Sequence, residues 1–303
     1  MDRKTDVTIV GSGPAGITAT IYLKRALIDV VLLDKYVPGG KVNFTAEIEN
    51  YPGFNKITGP DLAGKFFEQV QNFGVEVTYG DVLDIEKKDD EFKVITDDGT
   101  ITSKFVIFAT GTDERKMNIP GEDEFKGKGV SYCAVCDGSF YKGENVAVVG
   151  GGNSALQEAL YLSGFVKKVF LIHRRQGFRA DELLVKKVKS TGNIELVLDS
   201  VTLAVEGEKF VSGIKIKNAI TGEEKILPVK AVFPYIGQIP ATKGLSKLQV
   251  LDEHGYVIVD ENMETKVGNL FGAGDVVKKN LRQIVTATND GAIAAIEITH
   301  RSL

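Results

Sequence analysis

Apolar residues come in short, tight runs along this chain, and two of the runs are followed by nearly the same glycine turn. Val7-Thr8-Ile9-Val10 is β-like, and Gly11-Ser12-Gly13-Pro14-Ala15-Gly16 follows it. Ile17 to Leu27 fits a helix. Val30-Val31-Leu32-Leu33 is a buried-strand run that ends at Asp34. The plan then recurs. Val146-Ala147-Val148-Val149 leads into Gly150-Gly151-Gly152-Asn153-Ser154-Ala155. A helix is predicted over Ala155 to Leu162, with Leu156, Ala159 and Leu160 on one face. Val169-Phe170-Leu171-Ile172 is the next strand and ends at His173. Asp34 and His173 stand equally far past the first glycine of their turns (34 − 11 = 173 − 150 = 23).

The likeness continues downstream. Phe92 to Ile95 and Thr100 to Thr102 flank Asp97-Asp98-Gly99, a hairpin signal. The apolar run Phe105 to Ala109 then ends at Thr110-Gly111. In the second half, Val211 to Lys217 and Lys225 to Val229 flank a turn with Thr221-Gly222, and Ala231 to Ile236 ends at Gly237. The pattern predicts an α/β chain of two Rossmann-like nucleotide-binding domains. Each has three layers, with a parallel sheet, helices and an antiparallel crossover. After about Gly244 no third copy starts. The tail holds a strand-like run at Tyr256 to Val259, the segment Asn269 to Asp275, and a predicted helix from Ile284 to about Thr299. It is expected to rejoin the first domain, so that the second is inserted into it. Crossings near 112–116 and 243–246 give one domain of residues 1–113 and 245–303, and another of 114–244.

A length of 303 residues suits two domains. The net charge of −4 leaves no electrostatic footprint for nucleic acid or an anionic membrane. No apolar run nears the ~20 residues that span a bilayer, and the first residues lack the apolar stretch of a signal peptide. The expected compartment is the cytosol. Cysteine use changes the picture more. The only two cysteines are Cys133 and Cys136, in Cys133-Ala134-Val135-Cys136-Asp137. A structural zinc site wants four ligands, and His173, His254 and His300 are scattered, so no metal is expected. A reducing compartment keeps few structural disulfides. The pair therefore reads as catalytic, with a buried structural pair or half of a shared metal site as alternatives.

In a glycine turn after a strand, the first glycine makes the bend and the second lets a pyrophosphate reach the backbone. The third packs helix on strand, and the helix N-terminus meets the phosphates. Asp34 can accept from a ribose 2′-hydroxyl, as in FAD or NAD. The second site has His173-Arg174-Arg175-Gln176-Gly177-Phe178-Arg179 instead. Its three arginines favour an anionic 2′-phosphate, unless they form a solvated basic face. The first site then suits FAD and the second NADPH, with NADH possible. Asp137 stands beside the dithiol as a proton donor or acceptor. Two dinucleotide sites and one dithiol imply electron flow from nicotinamide through flavin to disulfide.

These residues resemble the low-molecular-weight thioredoxin reductases along essentially the whole chain. The matching segments are GSGPAG, PGG at Pro38 to Gly40, IENYPGF at Ile48 to Phe54, ATG at Ala109 to Gly111, and CAVCDG at Cys133 to Gly138. Others are GGGNSA, HRRQGFRA and the tail GAGDV…LRQIVTA from Gly272 to Ala287. The resemblance implies a homodimeric FAD enzyme that reduces thioredoxin, or a similar small redox protein, with NADPH. Cys136 would face the flavin, Cys133 would attack thioredoxin, and Asp137 would be the acid–base. FAD contacts would come from Gly11, Gly13, Pro14, Ala15, Asp34, Lys35, Gly39, Gly40, Lys41, Asn50 and Ala109 to Gly111. The tail would add Gly274, Asp275, Arg282, Gln283 and Ile284. NADPH would meet Gly151, Gly152, Asn153, Ser154, His173, Arg174, Arg175, Arg179, Ile236 and Gly237. The two crossings would be a hinge between two domain arrangements. Phe140 and Tyr141 are either an aromatic contact with thioredoxin or core packing.

Three places depart from the family pattern. Lys41 stands where PGGQ is usual. Gly237-Gln238-Ile239-Pro240-Ala241-Thr242 replaces GHxPNT, and Asn289-Asp290 replaces a glycine-rich stretch. Two other readings compete. One is a related flavin disulfide reductase with ferredoxin or NADH as donor, or another small redox protein or oxygen as acceptor. The other is a non-catalytic nucleotide sensor, which the intact Cys133, Cys136 and Asp137 disfavour.

Overall fold

The structure is a computed structural model and describes residues 2–302. By contact the chain forms two units, Met1–Asp113 with Ile239–Leu303, and Glu114–Gln238. The first crossing falls between Asp113 and Glu114. The second falls between Gln238 and Ile239, earlier than the expected boundary at 244/245. The reason is local. Ala241 donates its N–H to the Gly111 carbonyl, and its own carbonyl accepts from Thr110 Oγ1. Residues 239–244 thereby belong to the first unit.

The first unit begins with β1 (Arg3–Val10), α1 (Pro14–Arg25), β2 (Val30–Asp34) and α2 (Gly59–Gln71). It continues with β3 (Val77–Tyr79), β4 (Val82–Lys88), β5 (Glu91–Thr96), β6 (Gly99–Phe108) and β7 (Thr112–Glu114). The second unit holds α3 (Ala134–Asp137), β8 (Asn145–Gly150), α4 (Asn153–Ser163), β9 (Lys168–Ile172), α5 (Glu182–Ser190), β10 (Ile194–Val197), β11 (Ser200–Gly207), β12 (Val211–Asn218), β13 (Glu224–Leu227) and β14 (Ala231–Tyr235). The chain returns through β15 (Gln238–Pro240), β16 (Leu270–Gly272) and α6 (Ile284–Ser302). The crossing strands β7 and β15 pair as a two-stranded ribbon.

In the first unit the sheet order is β3-β2-β1-β6-β5-β4, with β16 also on β6. Alternation along the strands divides its two faces. Val7, Ile9, Val30, Leu32, Phe105 and Ile107 join the buried faces of α1 and α6. Val10, Val31, Leu33, Val106 and Phe108 meet Ile85, Phe92, Leu245, Val257 and Val276 on the other side. The second unit repeats this. Parallel strands in the order β10-β9-β8-β14 carry the antiparallel β11-β12-β13 on one face and the helices on the other. The fold is thus the predicted α/β arrangement of two Rossmann-like units.

Three details differ from the pattern reading. The hairpin strand at Thr100 and the run at Phe105 are one continuous β6. It pairs with β1 from Ile101 to Phe108, with β5 over its first half and with β16 over its last. Tyr256 to Val259 forms isolated bridges only, because Val257 alone is held between Leu251 and Val277. The helix α2 went unpredicted, although Thr58 caps it by accepting the Asp61 N–H (3.2 Å) with proline just inside.

Helix α6 lies on α1 at one close point, where a Cβ on Gly291 would sit 2.1 Å from the Ala15 carbonyl oxygen. Gly64 in α2 faces open space. Gly291→Ala should therefore destabilise the first unit by about 1–3 kcal/mol through forced separation. Gly64→Ala should stabilise it by about 0.5–1 kcal/mol through helix propensity. Thermal melts of the two variants should move in opposite directions.

Candidate active site

The two glycine turns are built alike. Gly11 has φ +108, and a Cβ there would lie 2.4 Å from the carbonyl oxygen of Ala109, just past β6. Gly150 has φ +153, and a Cβ there would lie 2.3 Å from the carbonyl oxygen of Tyr235, at the end of β14. Only glycine meets both conditions. The helices that follow, α1 and α4, begin at Gly13 and Gly152 with no side-chain cap. A Cβ on Gly13 would meet nothing within 4 Å. The start of α1 is thus open, which is the arrangement that takes an anion, and the start of α4, also without a side-chain cap, has the Arg179 backbone beside it.

Around the first turn the chain converges. Gly39 donates to the Ser12 carbonyl, and Gly40 packs against Gly13. Asn43 Nδ2 donates to the carbonyls of Pro38 and Gly40 and so holds this loop. Asp34 faces inward: its Oδ2 accepts from the Ser12 N–H and hydroxyl (both 2.6 Å), and Oδ1 accepts from the Tyr36 N–H. Lys35 stays at the surface, 4.0 Å from Asp81. The tail closes the site. Gly274 packs on Ala15, Arg282 Nε donates to the Asp275 carbonyl, and its guanidinium lies 4.2 Å over the Tyr256 ring. Asn50 Nδ2 donates to Gln283 Oε1 (3.0 Å) across most of the sequence. Ile284 packs with Val42, Ile48 and Leu62. Burial pushes the Asp275 carboxyl up, against the pull of Lys279, Lys41 and Arg282. That coupling puts Lys41, the departure from PGGQ, in the field of this acid.

Asp290 explains the third departure. It is buried, accepts the Gly274 N–H (2.8 Å) and pairs with Lys279, the two side chains being 7% and 15% exposed. An acid here anchors the GAGD loop through its backbone. The pattern gave no sign of the pairing, since nothing in the spacing of Lys279 and Asp290 marks them as partners.

In the second unit the basic loop folds back over its glycine turn. Arg179 donates its N–H to the Gly151 carbonyl (2.7 Å). The His173 ring lies against Gly151, stacks on Phe178 at 5.4 Å and bonds the Gly177 carbonyl. Burial, then the neighbouring arginines, hold His173 below the usual imidazole range, although its Gly177 contact pulls the other way. Asn153 exchanges two hydrogen bonds with Asp181 and so fastens α5 to the start of α4. Ser154, Ile236 and Gly237 are exposed beside the turn. Arg174, Arg175 and Arg179 are exposed and have no carboxylate partner among the described residues.

Cys133 and Cys136 form a disulfide with Cα atoms 5.4 Å apart. Cys133 caps α3, and its Sγ accepts the Cys136 N–H (3.1 Å). That donor would stabilise a thiolate on Cys133. Residues that sequence reasoning did not single out hold the turn. Ser131 Oγ bonds both the N–H and the carbonyl of Cys133. The Tyr235 hydroxyl accepts the Ala134 N–H (3.1 Å). Tyr132 donates to the buried Glu122, which also accepts two backbone N–H groups. Burial, then Glu122, pushes the Tyr132 phenol up. The two aromatic residues after the CxxC divide. Phe140 is 79% exposed, whereas Tyr141 packs edge-on against Phe233.

Two glycine-turn units with a disulfide on the second define a dinucleotide-dependent disulfide oxidoreductase. The family model described as pyridine nucleotide-disulphide oxidoreductase matches residues 5–291. A thioredoxin reductase of Listeria monocytogenes is 44% identical over 95% of this chain and 91% of its own. One from Mycoplasma pneumoniae is 46% identical over 97% and 94%. The crystal structure of Lactococcus lactis thioredoxin reductase superposes with a TM-score of 0.96 at 43% identity, covering 99% of this chain and all of that one. The chain belongs to this family, among its low-molecular-weight thioredoxin reductases.

Lys279→Met should strand the buried Asp290 charge and lower stability by about 3–5 kcal/mol. The pair Lys279→Met with Asp290→Asn should lose clearly less. Thermal unfolding of both, followed by circular dichroism, gives the comparison.

Proposed function

We propose that this protein reduces the disulfide of thioredoxin with electrons from NADPH, passed through FAD and the Cys133–Cys136 pair. The observation that carries the reading is the disulfide itself, held by α3 on a unit whose glycine turn is flanked by three exposed arginines. Kinship with thioredoxin reductases over nearly the whole chain supports it. The unpaired guanidiniums disfavour a ferredoxin donor, which would need no basic pocket for a 2′-phosphate.

The open N-terminus of α1 would take the FAD pyrophosphate at Gly11, Gly13, Pro14 and Ala15. Asp34 holds the turn through Ser12 and keeps an acceptor site on Oδ1 for a ribose hydroxyl. Gly39, Gly40, Lys41, Ala109 to Gly111, and the tail from Gly274 to Ile284 would enclose the rest. When bound, the flavin supplies the two-electron chemistry that links NADPH oxidation to disulfide reduction. The start of α4 at Gly151 to Ser154 would take the NADPH pyrophosphate, and Arg174, Arg175 and Arg179 the 2′-phosphate.

Once the pair is reduced, Cys133 is the attacking thiolate, since its Sγ already receives a backbone N–H. It displaces one sulfur of the thioredoxin disulfide, and Cys136 then resolves the mixed disulfide. Asp137 passes the proton to the leaving thiolate. Phe140, exposed next to the pair, is the aromatic contact for the protein substrate. The enzyme works as a homodimer in the cytosol. Among the described residues no helix is long and apolar enough to cross a membrane.

Anaerobic mixing with NADPH should bleach the flavin, and oxidised thioredoxin should then restore its colour. A yellow protein that neither NADPH nor NADH bleaches would overturn the reading. Cys136→Ser should keep flavin reduction and lose thioredoxin reduction. Arg174→Ala with Arg175→Ala should weaken NADPH far more than NADH, each lost contact being worth on the order of 1–3 kcal/mol. Steady-state KM values for the two nucleotides measure the difference.

A further inference from the structure

The only acid of α4, Glu158, is buried and has no part in the relay described above. It is 5% exposed, and its Oε2 has no hydrogen-bond partner. It lies three residues after Ala155 and four before Leu162, so the three share one helix face. Ala155 packs on the first glycine of the turn, where a Cβ on Gly150 would come within 2.9 Å of it. Leu162 packs on the end of the CxxC turn, where a Cβ on Gly138 would lie 2.7 Å from its Cδ2. The Glu158 carboxyl is therefore placed on the face of α4 between the β14 end and the dithiol. Tyr235 links the two, because its phenol feels Glu158 and accepts the N–H of Ala134, next to Cys133.

Among the described residues no cation pairs with this acid. Tyr235 of β14 feels its charge, Tyr141 after α3 packs in the same apolar cluster as α4, and the CxxC turn on that layer carries Cys133, Cys136 and Asp137. At the far edge of this layer β9 begins with Lys168, which pairs with Glu195. From α5 come Glu182, Lys186, Lys187 and Lys189, all exposed or half-buried. Burial alone pushes the Glu158 carboxyl up, to about 8. A buried carboxyl with an unpaired oxygen destabilises a fold. Such violations of local consistency gather where function requires them.

We propose that Glu158 is a positioning residue of the disulfide centre, a buried acid whose charge state governs how readily Cys133 attacks. This rests on the dithiol reading above. While Glu158 is neutral, the thiolate of Cys133 is opposed by no charge in the layer beneath it. Once Glu158 ionises, a carboxylate under the CxxC turn favours the thiol over the thiolate. Reactivity that would climb steadily with pH is then held back on the alkaline side.

The test uses the full-length protein with bound FAD, reduced with a phosphine, so that neither NADPH nor thioredoxin enters. Iodoacetamide alkylation of Cys133 is followed by mass spectrometry from about pH 6 to about pH 10. The wild type should climb, stall near pH 8, and climb again. Glu158→Gln should give one simple rise and react roughly tenfold faster at about pH 9, equivalent to one unit of thiol pKa. Glu158→Met, which also cannot ionise, should give the same simple rise and guards against misfolding of the amide variant. A wild-type profile with no stall overturns the proposal. So does a folded Gln or Met variant that keeps it. Alkylation at neither cysteine at any pH would overturn the dithiol reading and this inference with it.

Discussion

A backbone carbonyl pressed against a glycine is the contact on which both halves of this protein depend. Ala109 supplies it to Gly11, and Tyr235 supplies it to Gly150. Any side chain at either glycine would drive the central strand and its neighbour apart. With the strands in place, the helix that follows starts hard against the sheet, and its first N–H groups lie at the glycine turn. The chain leaves those donors uncapped at α1 and α4, yet caps α2 with Thr58. The contrast lies between helices that hold the fold and helices that are kept ready for a phosphate.

How much of this was legible in the sequence follows from how local each signal is. The strand–glycine–helix plan was visible twice, because β-like runs and glycine turns act within a few residues. So was the dithiol. The run of β6 was harder, since its two halves take different partners on one side and only the sheet as a whole makes it continuous. Val257 carries the alternation of a strand but finds only single-residue bridges on each side. A pairing over a long separation, as between Asn50 and Gln283, left no trace at all, and neither did the nearer one of Lys279 with Asp290. Asp34 was legible as an acid at a strand end. Its grip on Ser12 was not, because that needs the turn in three dimensions.

The acids set into the sites and their supports divide into two kinds. Asp34, Glu122 and Asp290 each accept backbone N–H groups, and each fixes a loop that borders a site. Their charge is met where it stands. Glu158 alone sits inside an apolar layer with an oxygen unanswered. The first three are explained by the loops they hold. The fourth has no structural return in its own layer, and its helix packs under the CxxC turn through Leu162.

The seating of Gly291 on Ala15 also bears on how the molecule is made. A ribosome releases α1 before the whole second unit and α6 after it. Domains tend to fold as they emerge. Glu114–Gln238 holds its own sheet and core, so it can close while the chain is still growing. The first unit cannot, because the face of α1 waits for a helix not yet translated. The part begun first is therefore completed last. Until then the apolar side of α1 is a surface that chaperones, or another nascent chain, can reach.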